Sequence, residues 1–250
     1  MHILLTNDDS IYSEGIYALY QELCKVASVT VVAPQSQQSS VGHGISLAHP
    51  VFLTKINRKG KFFGHAISGT PADCVKFAIN VLLKKKPNLV ISGINLGDND
   101  GCSVFYSGTV AGAREGALMG IPSLAVSLAT FENPDYSYAA KCSAHIARYM
   151  FKNQVPKGVF LNMNVPHLRS SQIKGIRITR QGTEPIHSVF KKRKDPNLKD
   201  YYWLTGKMPK KKIDDGTDTN LLNCQYVTVT PISIDTTHYN FLKQLETWRI

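Results

Sequence analysis

Within the first 34 residues the hydrophobic pattern changes period twice, and this constrains the fold more than any other feature of the chain. A continuous apolar run at residues 2–6 is followed by Ile16, Leu19, Tyr20 and Leu23 at three- and four-residue spacing, then by a second apolar run at 29–33. The two runs have strand character and the segment between them carries one helical stripe. Strand, helix, strand within about 30 residues is a βαβ unit. The alternation continues with helix patterns at 71–83, 109–119 and 136–151 and apolar runs at 89–92, 123–128 and 159–163. Such strands between amphipathic helices specify a parallel sheet covered on both faces. Two β-like runs flank Arg58-Lys59-Gly60 and read as a hairpin over 51–67, on the sheet or at its edge. Beyond Pro166 the β-like stretches 173–179, 201–204 and 226–230 are separated by basic and polar segments, and an amphipathic stretch closes at 238–248. The expected fold is α/β: a doubly wound, mostly parallel sheet with an inserted β-hairpin and a C-terminal β-rich extension. The core is expected over 1–165, and the extension over 166–250 is expected to send strands and arms onto another subunit.

A chain of 250 residues with 43% hydrophobic and 19% charged residues can bury a large core, so disorder does not dominate. Lys plus Arg exceed Asp plus Glu by 29 − 18 = 11. The excess gathers partly in Lys84-Lys85-Lys86, Lys191-Lys192-Arg193-Lys194 and Lys210-Lys211-Lys212. A positive field favours nucleic acid or a phosphorylated small molecule, or is simply a solvated basic surface. The runs lack the interleaved aromatics and glycines of a single-strand platform. Five cysteines without a Cys-x-x-Cys support neither a disulfide framework nor a zinc knuckle, and Cys24 and Cys74 read as buried thiols. No run reaches the ~18 apolar residues of a membrane span. The opening residues lack the features of a signal peptide, so a cytoplasmic setting and no membrane partner are expected.

The first βα turn reads Asn7-Asp8-Asp9-Ser10. In a doubly wound sheet ligands sit beyond the carboxyl ends of the strands, where this turn emerges. Adjacent carboxylates after a buried strand repel unless something positive joins them, and a divalent cation with hard oxygen ligands is a natural partner. Alternatively, Asp8, Asp9 and Ser10 simply cap the next helix. Three further strand ends carry similar chemistry. The loop 34–44 offers hydroxyls including Ser39, either for a metal or phosphate or as plain turn chemistry. In 93–101, glycines surround Asn95, a neutral oxygen ligand or an idle loop residue. Ser107-Gly108-Thr109 opens a helix and is either an anion cradle or an ordinary cap. Taken together, the loops describe a metal site beside an oxyanion cradle.

The Asn7-Asp8-Asp9 turn, the Ser39 loop, Ser68-Gly69-Thr70-Pro71-Ala72-Asp73-Cys74-Val75, Ser92-Gly93-Ile94-Asn95-Leu96-Gly97 and Tyr106-Ser107-Gly108-Thr109-Val110 together resemble the SurE family, the survival-protein-E type nucleotidases. Gly216-Thr217-Asp218 followed by Val227-Thr228-Val229-Thr230-Pro231 extends the resemblance over nearly the whole chain. The resemblance implies a Rossmann-like core and a phosphatase acting on nucleoside 5′- and 3′-monophosphates and on short polyphosphate. It also implies one divalent cation per subunit, Mg²⁺ or Mn²⁺, on Asp8, Asp9, Ser39 and Asn95. The C-terminal extension would swap between subunits of a homodimer or homotetramer. Residues 180–188 and 191–212 follow the family pattern poorly.

In the expected mechanism Asp8 and Asp9 are catalytic and hold the cation, which polarises the ester and activates a water. A free carboxylate oxygen or the activated water supplies the base, while Asn7, Ser107, Gly108 and Thr109 bind the phosphate oxygens. An aspartyl-phosphate route is disfavoured because such enzymes usually carry Asp-x-Asp. His43 is either a surface histidine or an acid toward the leaving oxygen. A nucleic-acid-binding or regulatory protein using the basic tail is the rival from another class. A dinucleotide-dependent oxidoreductase is weak, because the first turn lacks Gly-x-Gly-x-x-Gly.

Overall fold

The computed structural model describes residues 1–185, 187–207 and 211–248, so Lys210 of the third basic run lies outside the described residues. The first half runs β1 (His2–Thr6), α1 (Glu14–Leu23), β2 (Ser28–Pro34), β3 (Leu53–Arg58), β4 (Lys61–Ile67), α2 (Pro71–Phe77) and β5 (Leu89–Leu96). It continues through α3 (Gly108–Leu118), β6 (Ser123–Ala129), α4 (Ser137–Lys152) and β7 (Val159–Pro166). Beyond β7 come β8 (Ile176–Ile178), β9 (His187–Lys194), β10 (Asp200–Lys207), α5 (Asp218–Asn223), β11 (Val227–Ser233) and α6 (Tyr239–Leu245).

Nine strands form one sheet in the order β3-β4-β2-β1-β5-β6-β7-β11-β8, and β9 and β10 pair separately. From β4 to β7 every neighbour is parallel. The hairpin expected over 51–67 is present as antiparallel β3–β4 at one edge. The chain leaves β1 toward β2 on one side and returns to β5 on the other, so the winding reverses between β1 and β5. That reversal opens a crevice at the carboxyl end of the sheet.

Period-two alternation divides the core. Ile3 and Leu5 join Ile16, Leu19 and Leu23 of α1 and Ala140 and Ala147 of α4. Leu4 and Val32 face the other way, onto Cys74, Val75 and Ala78 around α2. Each fully buried large aliphatic side chain contributes about 2 kcal/mol, so both layers are held by burial. Helix α3 lies flush on the sheet because Gly112 faces it: a Cβ there would stand 2.8 Å from Ser92 Oγ and 3.0 Å from Thr6 Cγ2.

Several expectations change in detail. The helix expected to Leu83 ends at Phe77 and finishes as a π turn, Ala78–Leu82. The strand read at 89–92 runs to Leu96, with a register irregularity between Ser92 and Asn95. β11 joins β7 antiparallel and β8 then adds parallel to β11, so residues beyond 166 complete the sheet. β9 shows in the sequence only as a basic run, because all eight of its residues are exposed and no burial imposes alternation. Its partner strand supplies the aromatics that the linear sequence lacks there, with Tyr201 opposite Arg193 and Trp203 opposite Lys191. Cys24 is exposed, not buried, because it lies at the C-cap of α1; Cys74 is buried as expected. Among the described residues no helix is long and apolar enough to cross a membrane.

Replacing Gly112 with valine drives a branched side chain into Ser92 and Thr6. The expected loss is roughly 3 kcal/mol in urea unfolding; an unchanged midpoint would show that α3 does not need this close approach.

Candidate active site

The turn after β1 is shaped by its own side chains. Asn7 Nδ2 donates to Ser10 O at 2.8 Å and to Ser13 Oγ at 2.9 Å. Ser10 takes a left-handed φ of 82°, and the Asn7 bond to its carbonyl holds that conformation. Helix α1 is capped by Ser13, whose hydroxyl accepts from Ile16 N. The alternative in which Asp8 and Asp9 are merely its N-cap therefore fails: a different residue caps that helix.

Freed from capping, the two acids face the crevice between β1 and β5. Asp8 is 4% exposed, and Thr109 Oγ1 donates to its Oδ1. Gly108 is there to permit the approach: a Cβ would meet Asp8 Cβ at 2.9 Å and Oδ2 at 3.0 Å. Asp8 thus abuts the N-terminus of α3, whose cap is Ser107. The helix dipole and first-turn N–H groups favour negative charge there. Asp9 is less deeply buried. Its Oδ2 accepts from Leu96 N at 3.0 Å, and its Oδ1 accepts from Gln37 Nε2 at 3.4 Å.

These bonds gather the expected residues. Asp9 reaches the residue beside Asn95 through Leu96. Gln37 Nε2 also donates to Ser39 Oγ at 2.9 Å, which joins Ser39 to Asp9 through one amide. Gln38 N donates to Asp8 O at 2.7 Å, pinning the same loop to the turn. Asn95 Nδ2 donates to Gly97 O at 2.8 Å, which turns its amide donor away and leaves Oδ1 as the atom that could face a cation. Asn7 has both amide hydrogens engaged, and its Oδ1 is a buried oxygen with no hydrogen-bond partner among the described residues. What Asn7 offers a ligand is therefore an acceptor, which suits a cation better than a phosphate. Among the described residues no three His, Cys, Asp or Glu side chains converge. A cation here would rest on two carboxylates and neutral oxygens, a set suited to hard Mg²⁺-like ions.

Gln37 and Tyr136 were missed by sequence reasoning. Gln37 stood inside the polar loop, but nothing marked it above its neighbours. Tyr136 packs near Gly15, and burial, with the Asp9 and Glu14 charges, pushes its phenol up to about 12.

Electrostatics sharpen the picture. Burial, aided by the Asp9 charge and opposed by Thr109, raises the Asp8 carboxyl to about 6. Burial also raises Asp9, against the hydrogen bonds from Leu96 and Gln37. Among the described residues no cationic side chain figures among the partners of either acid.

The chain matches the family model described as survival protein SurE over residues 3–188. It is 45% identical to the 5′-nucleotidase SurE of Syntrophobacter fumaroxidans over 250 residues, covering 100% of both chains. It is 46% identical to the 5′-nucleotidase SurE of Thermosipho melanesiensis over 246 residues, covering 98% of this chain and 96% of that one. The crystal structure of the SurE protein from Aquifex aeolicus superposes with a TM-score of 0.86 at 39% identity, covering 98% of each chain.

Asp8 is raised in the folded state, so the native protein binds its proton more tightly than the unfolded chain. The resulting stabilisation is present at low pH and is lost as pH rises from 3.8 to about 6, leaving a net cost above that window. A shift of about two units corresponds to roughly 3 kcal/mol. In chelator, Asp8→Asn is therefore expected to raise the melting temperature at pH 7.5 but not at pH 4. A lower melting temperature at pH 7.5 would contradict the charge-burial account.

Proposed function

Because the chain belongs to the SurE family, we propose that it is a divalent-metal-dependent phosphomonoesterase that hydrolyses nucleoside 5′- and 3′-monophosphates, and short polyphosphate, to release phosphate. The observation that carries this reading is the adjacent pair of buried Asp8 and half-buried Asp9 beside the N-terminus of α3, with no cationic side chain as partner among the described residues. The full-length likeness to curated 5′-nucleotidases supplies the substrate class. The nucleic-acid-binding alternative is not favoured, since it leaves this site without a purpose.

Asp8, Asp9, Ser39 Oγ and Asn95 Oδ1 are the residues proposed to hold one Mg²⁺ or Mn²⁺ per subunit, with Asn7 Oδ1 facing the same turn. When bound, the cation supplies a Lewis acid for a phosphate oxygen and lowers the pKa of a water. Thr109 orients Asp8 through its hydroxyl. Asp9, the less buried acid, would take the proton of the attacking water, a role that its partial exposure supports. The Ser107 hydroxyl and the first-turn N–H groups at Gly108 and Thr109 receive the phosphate oxygens as charge builds on them. Asn7 acts on this step by fixing the turn, since its amide hydrogens are already bonded.

The extension over 166–250 is proposed to join subunits into a homodimer or homotetramer. The exposed Phe190, Tyr202, Trp203 and Leu204 of the β9–β10 ribbon support this, because apolar side chains in such numbers are normally covered by a partner. Five free cysteines suit a reducing, cytoplasmic setting.

The test is a phosphate-release panel over nucleoside monophosphates, sugar phosphates and polyphosphate with Mg²⁺, Mn²⁺ or chelator. Release from nucleoside monophosphates should stop in chelator and return with metal. Asp9→Asn should fall to background while remaining folded, and Ser107→Ala should lose roughly 10²-fold in kcat. Metal-independent release, or a trapped phosphoenzyme, would overturn the proposal.

A further inference from the structure

Two buried acids have no part in that mechanism: Asp73, in the Ser68-Gly69-Thr70-Pro71-Ala72-Asp73 run, and the inward-facing Glu115 of α3. Both carboxylates are buried, Glu115 at 2% and Asp73 at 8% exposed, yet neither lies among the residues that face the cation or the phosphate. Glu115 Oε2 stands 2.8 Å from His43 Nε2, and its Oε1 pairs with Lys76 Nζ at 2.7 Å. Asp73 Oδ2 accepts from Ser46 Oγ at 2.7 Å and from Thr70 N at 2.9 Å, and its Oδ1 accepts from Ser46 N at 3.0 Å. Thr70 Oγ1 donates to Gly44 O at 2.8 Å. Gly69 leaves the space, since a Cβ there would come within 2.7 Å of Asp73 Oδ2.

His43, Gly44 and Ser46 belong to the loop 35–52 between β2 and β3, the one that carries Ser39, and it has no regular secondary structure. Burial does not hold its segment 41–47: Val41, Ile45 and Leu47 are 36%, 43% and 86% exposed. Unstructured loops of this length are uncommon in compact domains, and those that persist are usually functional. A buried carboxylate is a weak choice for stability alone, because desolvation offsets most of its pairing. Burial pushes both acids up, but the bonds from His43 and Lys76 to Glu115, and from Ser46 and Thr70 to Asp73, outweigh it and keep both below the usual range.

We propose that Glu115, acting through His43, and Asp73, acting through Ser46 and Thr70, are positioning residues that latch the loop to α3 and α2 and thereby set Ser39 against Asp8 and Asp9. The inference rests on the metal-site reading above. His43 then serves by its bond to Glu115, not as an acid toward the leaving group. A further tie, Gly42 N to Tyr106 O at 2.9 Å, immediately precedes the two latches, so the segment 42–46 is held to α3 through Glu115, to the residue before the Ser107 cap, and to α2 through Asp73.

The test uses metal-stripped full-length protein, Mn²⁺ as the probe and binding read by electron paramagnetic resonance, with amide exchange followed in parallel. Glu115→Ala, His43→Ala and Asp73→Ala should each weaken Mn²⁺ binding about tenfold or more. Exchange should rise across 36–47 while sheet amides stay protected. Glu115→Gln keeps an acceptor for His43 and should recover most of the affinity. In a Ser39→Ala background, Glu115→Ala should cost nothing further, as expected of a residue that acts through Ser39. If Ser39→Ala weakens Mn²⁺ but the latch variants do not, or if their costs simply add to it, the latch is wrong and the metal site stands. If Ser39→Ala binds Mn²⁺ like the parent, the metal reading fails and takes the latch with it. His43→Ala cuts the same bond from the exposed loop, so the question is decided even if a helix-side variant does not fold.

Discussion

Two carboxylates at the end of a buried strand repel each other and lose hydration together, and the rest of the site is arranged around that cost. Thr109 gives Asp8 a hydroxyl, Gly108 removes the side chain that would keep α3 away, and the helix end adds its dipole. These measures are incomplete, since Asp8 still lies at about 6. The fold therefore holds a deficit of positive charge at one point, as functional sites do when stability is given up for chemistry. A more stable chain would have replaced one acid by its amide.

The sheet topology determines where that deficit sits. Winding reverses between β1 and β5, so the loops after these strands diverge and leave a crevice between them. Asp9 closes its floor by accepting from Leu96 at the end of β5, which ties the two sides of the reversal by one hydrogen bond. From the other side β2 delivers the Ser39 loop, and α3 delivers its N-terminus. Four chain segments far apart in sequence converge because parallel strands all end at the same edge.

The core elements were legible because each has a buried face that imposes a period. The β1–α1–β2 unit, the β3–β4 hairpin and the α3 and α4 helices follow from residues such as Ile16, Leu19 and Leu23 that must point one way. β9 and α5 were not legible. The first has no buried residue, and the second is six residues long with its Thr217 cap as the main signal. At the site, the acids and the Ser107 helix start stood out as residue types at strand ends. What the sequence left open was whether Asp8 and Asp9 cap α1, and the Ser13 cap answers that. Gln37 and Glu115 could not be picked out, and Asp73 stood in a motif without a role of its own, because their meaning lies in partners such as Ser39, His43 and Ser46 that only the folded chain brings near.

The stretch beyond residue 166 combines two physical roles that composition alone does not separate. β11 and β8 complete the sheet, and the buried Asp218 accepts from Gly101 N at 3.1 Å and Gly182 N at 2.8 Å. Burial raises this carboxyl against those bonds, so the connection is held by hydrogen bonding rather than by charge pairing. It fastens α5 to the 97–101 segment that follows Asn95, which makes this part of the extension a support for the crevice. The β9–β10 ribbon has the opposite character, with exposed basic side chains along β9, exposed aromatic ones on β10 and no buried layer among its described residues. A two-stranded ribbon without a packed face is marginal in water, so its order depends on what it meets, whereas the Asp218 connection is already complete within one chain.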